Sequence, residues 1–440
     1  MRQCLLGLFL VAVCTPLYGQ APAPASAPQI ANSLQLGYVH GILHDAYLEI
    51  KKNYYDPTFR GLDLEARYRA FDPQIDKAHT VGEGFGVVAA FLAQFHDSHL
   101  FFEPPLRGAS FESGYRMQII GDRCLVTTVR PGSHASTKLH PGDWVRRFNG
   151  YVVNRQDFHD LEYYFHRLAP SHVEQLELVA PGGVVRMETV QDLVRPNKRE
   201  IDLTDETNDF WDLVREDENN AQMNRERIAN LDGIVIWKMA QFGFDIETLD
   251  HVIGAARKGS ALIIDLRGNP GGYEEALEML VGKLFDHDVK IADRVTRKPD
   301  KPVLAKHLGS PFTRKLTILV DSSSASSSEL LARVVQLEKR GSVLGDRTAG
   351  AVMEAKEYTD SQGVESKIFY GFSISHANLI MSDGKSLEGT GVTPDQLILP
   401  SAEDLAAGRD PVLSHAVVLA GGTLDPAAAG KLFPYEWPHF

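Results

Sequence analysis

Two loops in the last third of this chain carry residues that could do covalent chemistry. The first is a run of six serines, Ser322-Ser323-Ser324-Ala325-Ser326-Ser327-Ser328, which follows the apolar stretch 316–320 and precedes a helical pattern that opens at Glu329. A hydroxyl there stands at the carboxyl end of a buried strand, where open α/β sheets place ligands. It also stands at a helix start, whose unpaired N–H groups and positive dipole end favour a developing anion. A serine on a strained strand-to-helix turn can act as a nucleophile, although the G-x-S-x-G signature is absent. The plain alternative is a flexible loop or a helix cap with spare serines. The residues alone do not choose among the six.

The second loop, Arg267-Gly268-Asn269-Pro270-Gly271-Gly272, likewise leaves a buried strand and enters a helix. Paired glycines let the main chain approach a substrate closely and aim N–H groups at it. The spacing is not the G-x-G-x-x-G of a dinucleotide site, and a plain tight turn would look the same. Far upstream, His96-Asp97-Ser98-His99 offers an imidazole that titrates near neutral pH. A structural histidine is the simpler reading of it. No second cluster of Cys, His or carboxylate residues pairs with it, so no metal site is expected. His159, Glu162 and His166 recur at helical spacing and read as a solvated face.

The elements that must position these residues fall into blocks. From 32 to 105, apolar residues such as Leu36, Val39, Ile42, Leu43, Ala46, Tyr47 and Ile50 recur at helical spacing, which predicts an N-terminal helical domain. From 110 to 192 the texture is short strands. Turns are marked by Pro131-Gly132, Pro141-Gly142-Asp143 and Asn149-Gly150, with one helix over 158–168 and a strand pair turned at Pro181-Gly182-Gly183. That order resembles a PDZ domain, a module that captures extended peptides by strand addition. Residues 193–230 are polar and read as a linker or excursion. Residues 231–400 alternate strands and helices, which predicts an α/β core with a largely parallel sheet, and 401–440 reads as a C-terminal tail.

Bulk properties narrow the class. The chain has 440 residues, 43% of them hydrophobic, an ordinary globular balance with room for two or three domains. Its formal net charge of -13, with no basic block, argues against nucleic-acid binding. Arg2, the short apolar run 5–13 and the small residues after it read as an export signal over 1–20. A Pro/Ala-rich spacer over 21–31 follows. The run is too short to span a membrane, so no transmembrane segment is expected once the signal is removed. Export to the periplasm or the exterior is therefore expected. Cys4 and Cys14 leave with the signal, and Cys14, preceded by Val13, fits a lipidation site poorly. Cys124 then remains alone, as a core thiol.

Four ordered motifs resemble the C-terminal-processing (tail-specific) serine peptidases, which include the tricorn proteases. They are 264–272 with the glycine loop, 319–332 with the serine run, Gly345-Asp346-Arg347-Thr348-Ala349-Gly350, and Glu388-Gly389-Thr390-Gly391-Val392-Thr393-Pro394-Asp395. The resemblance covers most of the chain from 32 to about 400. It implies a crotonase- or Clp-protease-like α/β peptidase core, no cofactor, a polypeptide substrate captured by the PDZ-like module, and room for an oligomer. The family's nucleophile lies three residues before the helix-opening Glu, which selects Ser326. Its oxyanion hole implies the N–H of Ser327 with that of Gly271 or Gly272. Many members use a lysine directly after the Thr-x-Gly turn, but Ala351 stands there; Lys356 is the nearest substitute. The tricorn branch instead uses a Ser-His-Ser-Glu tetrad, which implies His99 as base with Ser98 and Glu388. A catalytically inactive peptide-binding relative and a Ser326–Lys356 dyad are the alternatives.

Overall fold

A computed structural model describes residues 31–196, 225–363 and 367–438. The export signal, Cys14, nearly all of the spacer and most of the 193–230 linker lie outside the described residues.

The centre is a sheet whose strands run Arg227–Leu231, Ile234–Lys238, Ala261–Asp265, Lys315–Val320, Ser342–Gly345 and Gln396–Leu397. Only the first pair is antiparallel; all other pairs are parallel. Parallel strands are covered on both faces and so read as continuous apolar runs. Here alternate residues enter two different cores. Val235, Trp237, Leu262, Ile264, Ile318 and Val320 face the helices Ile246–Lys258, Glu274–Leu284 and Ser327–Leu337. Ile234, Ile236, Ile263 and Leu319 face the helix Pro411–Ala420. The segment expected as a C-terminal tail therefore supplies the sheet's second cover.

A second, antiparallel sheet was not foreseen. It joins Phe101–Glu103, Ile368–Met381, Val289–Val295 and Val303–Ala305 in that order, with Met353–Gln362 also paired to the long strand 368–381. The helical front, Ser33–Asn53, Leu64–Ile75 and Val81–Ala93, packs on this sheet through a core that includes Met353, Tyr370, Phe372 and Ile374. The last residues of the front, 101–103, are a strand of this sheet and join it to the core.

The β-rich module forms a sheet ordered Tyr115–Ile120, Arg123–Val129, Trp144–Phe148, Val173–Val179 and Val185–Gln191. A helix at Phe158–Glu162 continues with wider π-type turns over Tyr163–Leu168. The strands Ala109–Glu112 and Leu193–Pro196 pair at its base, so the module runs a few residues beyond the expected 110–192 and takes the start of the linker with it. Cys124 is buried in its core.

Candidate active site

The parallel register sets Ile264 beside Ile318 and Asp265 beside Leu319, so the glycine loop and the serine loop leave the sheet side by side. Arg267 bridges the buried Asp265, at 2.7 Å, and Asp410 at the start of helix Pro411–Ala420, at 2.8 Å. Burial opposes the charge on Asp265, but Arg267 and Lys238 hold its carboxyl well below the usual range.

Each serine of the run has a distinct assignment. Ser322 donates to the Ile119 carbonyl at 2.5 Å. Ser323, exposed, accepts from Gln118 Nε2 at 3.3 Å. Ser324, Ser327 and Ser328 are buried and donate to the carbonyls of Leu266 (2.8 Å), Gly272 (3.1 Å) and Asn269 (3.1 Å). Ser326 remains. Its hydroxyl donates to no described acceptor, and its main chain sits at φ 54°, ψ -119° just before the helix. A non-glycine residue in such a conformation costs on the order of 1–3 kcal/mol, which the surrounding bonds must offset. The Ser326 N–H is held by the Ala351 carbonyl at 2.9 Å and by Glu329 Oε2 at 3.1 Å. Glu329 is fully buried and also accepts from Thr348, Gly350 and Ala351; burial pushes its carboxyl up to about 7.

The glycine loop packs directly against this turn. A Cβ on Gly271 would lie 2.6 Å from Ser326 Cβ, and one on Gly272 would lie 2.5 Å from the Phe242 carbonyl oxygen; both residues have positive φ. The Gly271 N–H donates to Asn269 Oδ1 at 2.9 Å. The N–H groups of Gly272 and Ser327 meet no acceptor among the described residues. Of the two glycines suggested by sequence, Gly272 is thus the one with a donor to spare.

The turn 96–99 reaches the same place from the helical front. Ser98 Oγ lies 2.8 Å from His99 Nδ1 and 2.8 Å from Glu388 Oε2, and the Ser98 N–H donates to Glu388 Oε1 at 2.7 Å. With Glu388 ionised, the Ser98 proton is given to the carboxylate. Ser98 Oγ then accepts from His99 Nδ1–H, and the lone pair is left on Nε2. Burial pushes the Glu388 carboxyl up. Burial pulls the His99 imidazole down, with Asp97 opposing and His159 assisting. No hydrogen bond joins His99 to Ser326 among the described residues. The link runs through adjacent main-chain groups: Ala351 accepts from Ser326, and the Val352 N–H donates to Glu388 Oε2 at 2.9 Å. Lys356 is exposed on the strand Met353–Gln362, opposite Ile374, and makes no hydrogen bond with Ser326.

The β-rich module abuts the serine loop. Besides the Ser322–Ile119 bond, Gln118 donates to Asp321 at 2.7 Å, and Arg155 and the Gly121 N–H both reach Asp346. Strand Tyr115–Ile120 is an edge strand, paired within its sheet only to Arg123–Val129. Between it and the helical turns lies a cavity of about 340 Å³ lined by Tyr115, Met117, Glu162, His166, Asp192 and Trp437, among others. This amends the reading of His159, Glu162 and His166 as one solvated face at Glu162. His159 and His166 are both exposed, as expected; Glu162 is half-buried, and Glu162 and His166 border the cavity, with His166 3.1 Å from the buried Glu174.

Fold and site together define a relative of the serine peptidases. Residues 234–398 match the model of peptidase family S41, and residues 39–93 match the tricorn protease C1 domain. Residues 234–398 thus carry a peptidase family S41 domain, and residues 39–93 a tricorn protease C1 domain. It is 24% identical over 409 residues to the chloroplastic C-terminal processing peptidase of Tetradesmus obliquus, covering 86% of this chain and 80% of that protein. It is 26% identical over 151 residues to the carboxy-terminal processing protease CtpA of Bacillus subtilis, and that match spans 34% of this chain and 31% of the relative's length. The crystal structure of mature CPAF shares the fold, with a TM-score of 0.64 at 14% identity over 85% of this chain and 95% of that one.

Proposed function

We propose that this protein is a serine endopeptidase in which Ser326 attacks the peptide carbonyl and His99 carries the proton. The observation that supports this best is the division of labour in the serine run: the hydroxyls of its other members are bonded to neighbouring loops or to the β-rich module, whereas the Ser326 hydroxyl, at the helix cap, donates to no described acceptor. A serine hydroxyl needs a base at neutral pH. His99 Nε2 has the lone pair for it, and Ser98 with Glu388 fixes the ring and its tautomer, the part of the third group in triad logic. The spare N–H groups of Gly272 and Ser327 suit the oxyanion of the tetrahedral intermediate. His99 then returns the proton to the leaving amine, and the acyl-enzyme is hydrolysed by water. A base–nucleophile bond missing without substrate is common and tightens in the complex.

The substrate in this reading is a polypeptide that adds as a strand along Tyr115–Ile120, whose far end touches the serine loop. The export reading of residues 1–20 belongs to the same proposal. Among the described residues no helix is long and apolar enough to cross a membrane.

A fluorophosphonate probe tests the assignment. Wild type should label, while Ser326→Ala and His99→Ala should not; equal labelling of Ser326→Ala would sink it. The second reading is a peptide-binding relative without turnover, favoured by the unmade His99–Ser326 bond. It predicts saturable peptide binding with no labelling of wild type.

A further inference from the structure

The tetrad leaves one buried carboxylate beside it unused. Asp97 is 8% exposed, and the side chain itself is fully buried. Its Oδ1 accepts from the His99 N–H at 3.0 Å and from Ser375 Oγ at 2.6 Å. Its Oδ2 accepts from Tyr54 Oη at 2.9 Å, with Arg60 Nη2 at 3.9 Å. These partners come from three places. Tyr54 caps the first helix, Arg60 follows it, and Ser375 lies in the long strand Ile368–Met381. Arg60 also donates to the carbonyls of Phe95 and His96, and Tyr55 N–H bonds the Ser375 carbonyl at 2.9 Å. Asp97 therefore ties the turn carrying His99 to both helix and sheet, beside the bonds from Arg60 and Glu388.

Such an arrangement exceeds what a loop anchor requires. An uncompensated buried carboxylate is costly, and a neutral side chain could cap the turn. A fixed negative charge next to a histidine has a chemical use, because it favours the imidazolium. Glu388 cannot provide all of that, since it reaches the ring only through the neutral Ser98 hydroxyl.

We propose that Asp97 is a positioning residue for the proton transfer: its carboxylate fixes the His99 main chain and stabilises the imidazolium that forms beside it. This rests on His99 being the base. The charged or titratable groups facing His99 are Asp97 on its own turn, Glu388 through Ser98, and His159 from helix Phe158–Glu162; behind Asp97 stand Arg60 and Tyr54. Asp97 works to raise the His99 pKa, and His159 to lower it.

The test uses two readouts on the full chain. NMR titration of the His99 ring does not depend on activity. In Asp97→Asn the His99 pKa should fall by at least about half a unit, since the charge that favours its protonated form is gone. The acid limb of fluorophosphonate labelling should move down by the same amount, with the plateau rate reduced at least about tenfold by loss of the anchored turn. An unchanged His99 pKa overturns the proposal, whether or not wild type labels; a fallen pKa with unlabelled wild type overturns instead the peptidase reading. Should Asp97→Asn fail to fold, Tyr54→Phe and Ser375→Ala decide. Each keeps the charge and removes one donor to it, so the His99 pKa should hold or rise while labelling slows. Unaltered labelling and pKa in both would overturn the proposal.

Discussion

The serine loop and the histidine turn lie in the same site but are held by different physics. The serine loop is fixed by main-chain register. Two parallel strands deliver it beside the glycine loop, and short hydroxyl-to-carbonyl bonds sew the two together. The histidine turn has no strand register of its own at residues 96–99. Two carboxylates hold it, the buried Asp97 and Glu388, the latter 290 residues away from Ser98. In the proposed reading, the nucleophile is specified locally, whereas its base depends on the whole chain closing.

The sharpest way to break this contrast is to change neighbours within the serine run. Ser326→Ala should lower peptidase or labelling rates by at least about 10⁴-fold with little loss of stability. Ser327→Ala should do the reverse. It should cost about 1–2 kcal/mol in urea melts for the lost bond to Gly272, and leave labelling within a few-fold of wild type. Matching losses of rate in both would end the claim that the serines have separate assignments. On the other side of the comparison, His99→Ala should rival Ser326→Ala, while Lys356→Ala should change labelling less than twofold. A silent His99→Ala with a dead Lys356→Ala would move the base to the lysine.

Gly271→Ala tests how closely the two loops must approach. Its Cβ would meet Ser326 Cβ at 2.6 Å at a positive φ, so about 2 kcal/mol of stability and on the order of 10²-fold in rate should be lost. Wild-type rates in that variant would show that the contact is not required. The pH profile tests the histidine turn. Burial lowers the His99 pKa, so the neutral base persists to lower pH and the acid limb of labelling should have its midpoint below 6.5. A midpoint above 7 would mean that the carboxylates outweigh burial.

The smallest effect is expected where the β-rich module touches the core. Arg155→Ala removes the pair with Asp346 and the bond to the Arg347 carbonyl. It should cost about 1 kcal/mol and raise KM for long substrates more than it lowers kcat. An effect confined to kcat would assign the module to the chemical step instead.

Much of the serine half was legible in the sequence. Buried parallel strands announce themselves as apolar runs, and the helix after Ser328 follows from its spacing, so both loops could be placed at strand ends. The choice of Ser326 among six serines was not legible from those residues. It came from likeness to a family, and the hydrogen bonds of its neighbours now supply a physical reason. Missed altogether were the antiparallel sheet, the cover supplied by Pro411–Ala420, and the role of 101–103. Each pairs segments far apart in the chain, and a strand's partner is not written in its own periodicity. Glu162 was misread as solvated because the cavity wall beside it, Tyr115 and Met117, comes from a strand more than forty residues upstream.

By itself the sequence determined which residues could react and which elements would present them, because strand and helix periodicity are local properties. Likeness to a family suggested that Glu388, Ser98 and His99 belong together, but only the tertiary structure joins them in one chain of hydrogen bonds. The reason is that desolvated carboxylates acquire their partners only when the helical front, the long strand and the closing turn fold onto one another.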